Sequence, residues 1–73
     1  MAIQIVMDRT GDSRHFFNPS DARELAKAEQ RFYELTKAGF TAAIRTGPGQ
    51  ASHIRSFDPT AEETVFFPRL VGG

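Results

Sequence analysis

The sequence predicts an α+β domain in which one amphipathic helix packs on a mixed sheet of four to five strands. Three observations carry this reading. Strand-prone segments stand at both ends of the chain, alternating over residues 3–8 and continuously apolar over 64–67. Between them, apolar residues spaced three and four apart mark a single helix over about 19–38, the period of one helical face. A lone amphipathic helix must bury its stripe, and a sheet made from those strands is the surface the chain offers.

Each element has its own signal. Ile3, Ile5 and Met7 point one way and Gln4, Val6 and Asp8 the other, as in a half-buried strand. Asp8-Arg9-Thr10-Gly11-Asp12 is built from turn formers, and Ser13 to Phe17 reads as a second strand, so the chain opens with a β-hairpin. Asn18 suits a helix N-cap, Pro19 the first helical position, and Asp21 the positive helix end. Ala22, Leu25, Ala26 or Ala28, Phe32 and Leu35 form the apolar stripe. Arg23, Glu24, Lys27, Arg31, Glu34 and Lys37 cover most of the remainder, and Gly39 is placed to end the helix in a left-handed conformation. Phe40 to Arg45 alternates again, with Phe40, Ala42 and Ile44 on one face. Gly47-Pro48-Gly49 is a loop, and Ser52 to Phe57 a short strand. Asp58 to Glu63 starts with a turn, and Thr64 to Phe67 is the last strand. Pro68 withdraws a backbone donor, so that strand lies at an edge or ends there. Strand, strand, helix, strand, short strand, strand is the order of a β-grasp fold, with the last strand beside the first. Residues 1–68 read as the domain and 69–73 as a tail.

Composition narrows the function. With 73 residues the chain makes one domain, with little material for a deep catalytic cleft, so it is read as a non-enzyme. The absence of Cys excludes disulfides and thiolate metal sites. Nine basic and nine acidic residues balance, unlike the basic excess of a nucleic-acid binder. No apolar run approaches the roughly 20 residues of a membrane span, and Met1-Ala2-Ile3-Gln4 lacks the pattern of a signal peptide. The expectation is a cytoplasmic protein with neither nucleic-acid nor membrane partners.

The tail carries the sharpest functional signal. Gly72-Gly73 closes the short tail that follows the last apolar strand. An extended Gly-Gly segment fits a narrow channel, and the carboxylate of Gly73 is unhindered at its α-carbon. Such a carboxylate can be adenylated with loss of pyrophosphate and then attacked by a thiol, amine, hydroxyl or sulfide. A disordered end without function is the plain alternative.

Length, element order and ending together resemble the ubiquitin-like family of protein modifiers and sulfur carriers. At residue level the resemblance lies in the tail. Glu63-Thr64-Val65-Phe66-Phe67-Pro68-Arg69-Leu70-Val71-Gly72-Gly73 is similar to the end of the small subunit of molybdopterin synthase, with Arg69 where that family usually has a second proline. Arg69 and Leu70 are similar in kind to the residues before the glycines of ubiquitin, whereas Pro68 and Val71 are not. The resemblance implies a chain that is a substrate and binds no cofactor itself. An activating enzyme using ATP and Mg²⁺ would adenylate Gly73. A conjugating enzyme would pass it to a target, or a sulfurtransferase would convert it to a thiocarboxylate, and a deconjugating protease would reverse conjugation. Gly72 and Gly73 are then the activated residues, and Pro68, Arg69, Leu70 and Val71 the recognised tail. Lys27 and Lys37, the only lysines, would be the side-chain amines for chain extension. A non-covalent interaction module is the third reading.

Other candidates carry less. Arg45, His53 and Arg55, with Ile44 and Phe57, could make a partner surface on the outer sheet face, where ubiquitin-like proteins often engage partners; a solvated face is the competing reading. Adjacent Phe16-Phe17 and Phe66-Phe67 must each send one ring away from the core by alternation. Asp8, Gly11 and Asp12 miss the spacing of a calcium loop and read as a turn. His15 and His53 lie on different strands, and zinc needs three or four ligands. Gly47-Pro48-Gly49 lacks the Lys-Ser/Thr and following helix of a phosphate loop.

Overall fold

A computed structural model describes residues 1–69. It contains β1 (Ala2–Asp8), β2 (Gly11–Phe17), α1 (Ala22–Lys37), β3 (Phe40–Gly47), β4 (Gln50–Ile54) and β5 (Glu63–Pro68). The five strands form one mixed sheet in the order β2-β1-β5-β3-β4. β5 is central, parallel to β1 and antiparallel to β3; β1–β2 and β3–β4 are antiparallel hairpins. The helix covers one face. Pro68 is the last residue of β5, so the missing donor marks the end of a central strand rather than an edge.

The hairpins close through local chemistry. In the first, Asp8 pairs with Gly11 across Arg9-Thr10, and Asp8 Oδ1 accepts from the Thr10 N–H at 2.7 Å and its hydroxyl at 2.6 Å. Gly47 pairs with Gln50 in the second. Proline presets the first central φ, and Gly49 supplies +70° at the second, the combination a type II turn needs.

The helix starts later than Asn18 and Pro19 imply. Asp21 is the N-cap, accepting from the N–H groups of Arg23 and Glu24 at 2.9 and 3.4 Å. Asn18 spends its side chain on the Ser20 N–H at 2.9 Å, and its carbonyl accepts from Asp21 at 3.0 Å. Asn18-Pro19-Ser20 is thus a turn before the helix, braced by Glu24 Oε1 on the Asn18 N–H at 2.9 Å. At the other end Gly39 (φ +104°) follows the C-cap Ala38, as its position predicts.

Two buried clusters fill the space between helix and sheet. Val6, Phe32, Ala42 and Phe66 form one, and Ala2, Phe17 and Ala28 the other. Leu25 and Leu35 complete the helical stripe, while Ala22 and Ala26 are exposed. Phe57 packs against both clusters. It lies beyond β4, which ends at Ile54 rather than reaching Phe57. Its backbone N–H donates to the Tyr33 hydroxyl at 3.3 Å, which pins the loop after β4 to the helix.

The core side of β1 is the side of Ala2, Gln4 and Val6, not of Ile3, Ile5 and Met7. Gln4 is fully buried. Its Nε2 donates to the Ala28 carbonyl at 2.9 Å, and its Oε1 accepts from Arg31 Nη1 at 2.9 Å. Both ends of the amide are therefore satisfied, which removes the penalty of burying it. Gln4 is a polar clamp holding α1 on the central strands.

Candidate functional site

The strand register assigns every side chain to a face. Phe17, Gln4, Thr64, Phe66, Ala42 and Ile54 look toward the helix, and Phe16, Ile3, Ile5, Val65, Phe67, Ala43 and His53 look outward. The Phe pairs therefore split: Phe17 and Phe66 are buried, Phe67 is half-buried, and Phe16 is 65% exposed. Burying Gln4 is what turns Ile3, Ile5 and the exposed Met7 outward. The result is an apolar band crossing β2, β1 and β5 on the helix-free face. The band is half-buried except at Phe16 and Met7, which are exposed, and exposed apolar side chains of this kind suit an interaction surface.

The proposed partner residues divide on this map. Arg45 is on the outer face and exposed, with its Nε 3.5 Å from Glu63 Oε2. His53 is on the same face, its ring 5.9 Å from that of Phe67. Arg55 is exposed just past β4. Ile44 does not belong there: it pairs with Thr64 and Ser52, so it points to the helix side and is half-buried. Phe57 does not belong there either, because it is packed on both core clusters. Its apolar surface is worth more beneath the helix than on an outer face. The apolar members of the outer face are instead Ile3, Ile5, Phe16, Val65 and Phe67. Strict alternation from Gln4 would have found them had its burial been foreseen.

The tail leaves from the sheet end that carries the start of β3 and the end of β4. Pro68 pairs with Phe40, and the Arg69 N–H donates to the Gly39 carbonyl at 3.2 Å. Arg69 lines an open groove with Gly39, Phe40, Thr41, His53 and Arg55. Arg45 stands at the opposite end of β3, beside Glu63. Leu70, Val71, Gly72 and Gly73 lie outside the described residues. Lys27 and Lys37 are both exposed on α1.

Among the described residues, three groups are shifted from their ordinary values. Asp8 and Asp58 are held low, first by the hydroxyls and then by the N–H groups of Thr10 and Thr60. Partial desolvation, with the Arg31 charge second, lowers His15 from 6.5. It pairs with Gln4 and lines a cavity with Arg31 and Glu34. All three changes have the same sign for stability. The unfolded chain takes up a proton first as pH falls, so stability is lost toward acid. The urea midpoint is expected to decline as pH falls through 6.5, because of His15, and again below 3.8, because of the two aspartates. His15→Gln should flatten the first decline and leave the second. His15 and His53 lie on the two opposite edge strands and on opposite faces, so they form no joint site. Among the described residues no group of three or more His, Asp or Glu is arranged to hold a metal ion, and no helix is long and apolar enough to cross a membrane.

No family model, curated protein or solved structure matches this chain.

Proposed function

We propose that this is a β-grasp protein modifier of a bacterial-type conjugation system, acting through the carboxylate of Gly73. The observation that supports the reading most is the position of β5. It is the central strand, parallel to β1, and its C-terminal end leads straight into Arg69-Leu70-Val71-Gly72-Gly73. A tail rooted in the middle of a sheet is held firmly at its base. It can then enter a partner's active site while the body of the domain docks beside it. The apolar outer face, with Phe16, Ile5 and Val65 on adjacent strands, supplies a docking surface of suitable character.

The chemistry follows from the carboxylate. An activating enzyme brings ATP and Mg²⁺; an oxygen of Gly73 attacks the α-phosphate, giving an acyl-adenylate and pyrophosphate. A thiolate of that enzyme displaces AMP to give a thioester. A target amine then attacks the carbonyl, the thiol leaves, and an amide remains. This chain contributes the carboxylate and the recognition surface, in keeping with its reading as a non-enzyme. The reading requires a free Gly73, whether encoded as the end or exposed by cleavage.

A sulfur carrier is the second reading, favoured by the similarity of Phe66-Phe67-Pro68 and Gly72-Gly73 to the end of the molybdopterin synthase small subunit. There, sulfide displaces AMP and Gly73 becomes a thiocarboxylate; where a persulfide displaces AMP instead, a second thiol must cleave the resulting acyl disulfide, leaving a disulfide and releasing the thiocarboxylate. One experiment separates the two. N-terminally tagged chain is recovered under denaturing conditions from host cells, alongside a Gly73 deletion. A ladder of heavier species that vanishes in the deletion is expected. One species, heavier only by the exchange of oxygen for sulfur, would favour the sulfur carrier. Unmodified chain in both strains, with the pathway expressed, would leave a non-covalent interaction module.

A further inference from the structure

The nine Asp and Glu side chains are not spread along the chain. All fall in residues 8–34 and 58–63. Residues 36–57 carry Lys37, Arg45, His53 and Arg55 without an Asp or Glu, and residues 64–73 carry Arg69 alone. The fold turns this segregation into a polarised surface. Glu62 and Glu63 stand at the start of β5 and Arg69 just past its end, about 20 Å apart at the rise of an extended strand. Glu34 lines the cavity on the β2 side with His15 and Arg31. Among the described residues, the groove at the tail root is lined by His53, Arg55 and Arg69 and by no Asp or Glu.

Ile54, the last residue of β4, pairs with Ala42. β3 begins two residues earlier, at Phe40, so Phe40 and Thr41 have no strand partner on the β4 side. β4 and β5 flank β3. The backbones bearing Arg55 and Arg69 are therefore two strand spacings apart, about 10 Å. Residues two apart in an extended peptide share a face and lie about 7 Å apart, a gap that two long arginine side chains can close. The helix end beneath is not an exposed negative pole. The carbonyls of Glu34, Leu35 and Thr36 accept from Ala38 and Gly39, and Lys37 lies in the last turn.

We propose that this groove is a docking site for an acidic, extended segment of a partner protein, with carboxylates on Arg55 and Arg69 and His53 beside them. Its open shape and its lining of His53, Arg55 and Arg69 fit that occupant. The inference stands whatever becomes of Gly73, since binding here needs no activation of the tail.

The test titrates a capped hexaglutamate peptide into the purified ¹⁵N-labelled full chain at low salt, followed by amide chemical shifts. Shifts concentrated at Gly39, Thr41, His53, Arg55 and Arg69 are expected. Arg55→Glu combined with Arg69→Glu should weaken binding at least about tenfold. Arg45→Glu, a reversal of an exposed arginine outside the groove, should change it less than about twofold. Retained spectral dispersion in each variant shows that the fold is intact. The proposal is overturned by shifts centred elsewhere, by an equal loss in Arg45→Glu, or by no shifts at all. It is also overturned if inorganic phosphate at equal concentration reproduces the response, which would mark a simple anion site. Tighter binding of a short oligonucleotide would likewise reassign the groove. Because no activating enzyme is present, failure here leaves the conjugation reading untouched.

Discussion

Phe32→Ala is expected to leave the chain largely unfolded in dilute buffer. Phe32 has no exposed surface, and it meets three other rings. The centroids of Tyr33, Phe57 and Phe66 lie 5.1, 5.9 and 5.7 Å away, all edge-on. Truncating such a ring costs about 3–5 kcal/mol, from lost transfer energy and the cavity left behind. A core in so short a chain supplies roughly the same amount in total. Far-ultraviolet circular dichroism should show lost helix, and the near-ultraviolet signal should collapse with it. Phe32→Leu retains most of the volume and should melt cooperatively at a lower temperature. A Phe32→Ala protein with a urea midpoint close to the parent's would mean that this ring is not the keystone of the core.

The second large effect is expected at Gln4. Gln4→Ala removes a fully buried side chain and deprives Arg31 of its acceptor on β1. Cavity and lost charge-assisted hydrogen bond together should cost about 2–4 kcal/mol. Gln4→Leu keeps the volume and allows the half-buried Arg31 to turn to water, so it should cost less. Arg31→Met alone leaves Oε1 without its donor. A double-mutant cycle over Gln4 and Arg31, read from urea denaturation, should give a clear coupling energy. A coupling near zero would reduce the clamp to ordinary packing.

Gln4 also explains where the sequence misleads. Leu25, Ala28, Phe32 and Leu35 are legible as a helical face because nothing competes with their period, and Gly39 ends that helix where expected. On β1 the period is equally clear but its sense is ambiguous. Ile3, Ile5 and Met7 are the more apolar set, yet the core takes Ala2, Gln4 and Val6. The helix supplies the Ala28 carbonyl and Arg31 guanidinium that a buried amide on β1 can use. No local rule carries that information, since both partners are more than 20 residues away. The same limit applies at Phe57. A β-prone aromatic reads as strand, but its place is decided by Tyr33 and the two core clusters. The helix start shifts because Asn18 and Asp21 are both good caps, and Asn18 turns its side chain to Ser20 instead. Of the candidate site, the alternation of the Phe pairs and the exposure of Arg45, His53 and Arg55 follow from local pattern. The gathering of His53 and Arg55 with Arg69, away from Arg45, depends on strand order.

Covalent chemistry at Gly73 leaves a mark that tryptic mass spectrometry can read. Trypsin cleaves after Arg69, so any target joined through Gly73 retains Leu70-Val71-Gly72-Gly73 as a branch on its acceptor amine. Host proteins from cells carrying the wild-type chain are digested and compared with those from a Gly73 deletion. Branched peptides bearing this four-residue remnant are expected in the wild type alone, with Lys27 or Lys37 of the chain itself among the acceptors if chains are built. Complete recovery of the linear tail peptide, with no branch on any protein while the pathway is expressed, would contradict that expectation.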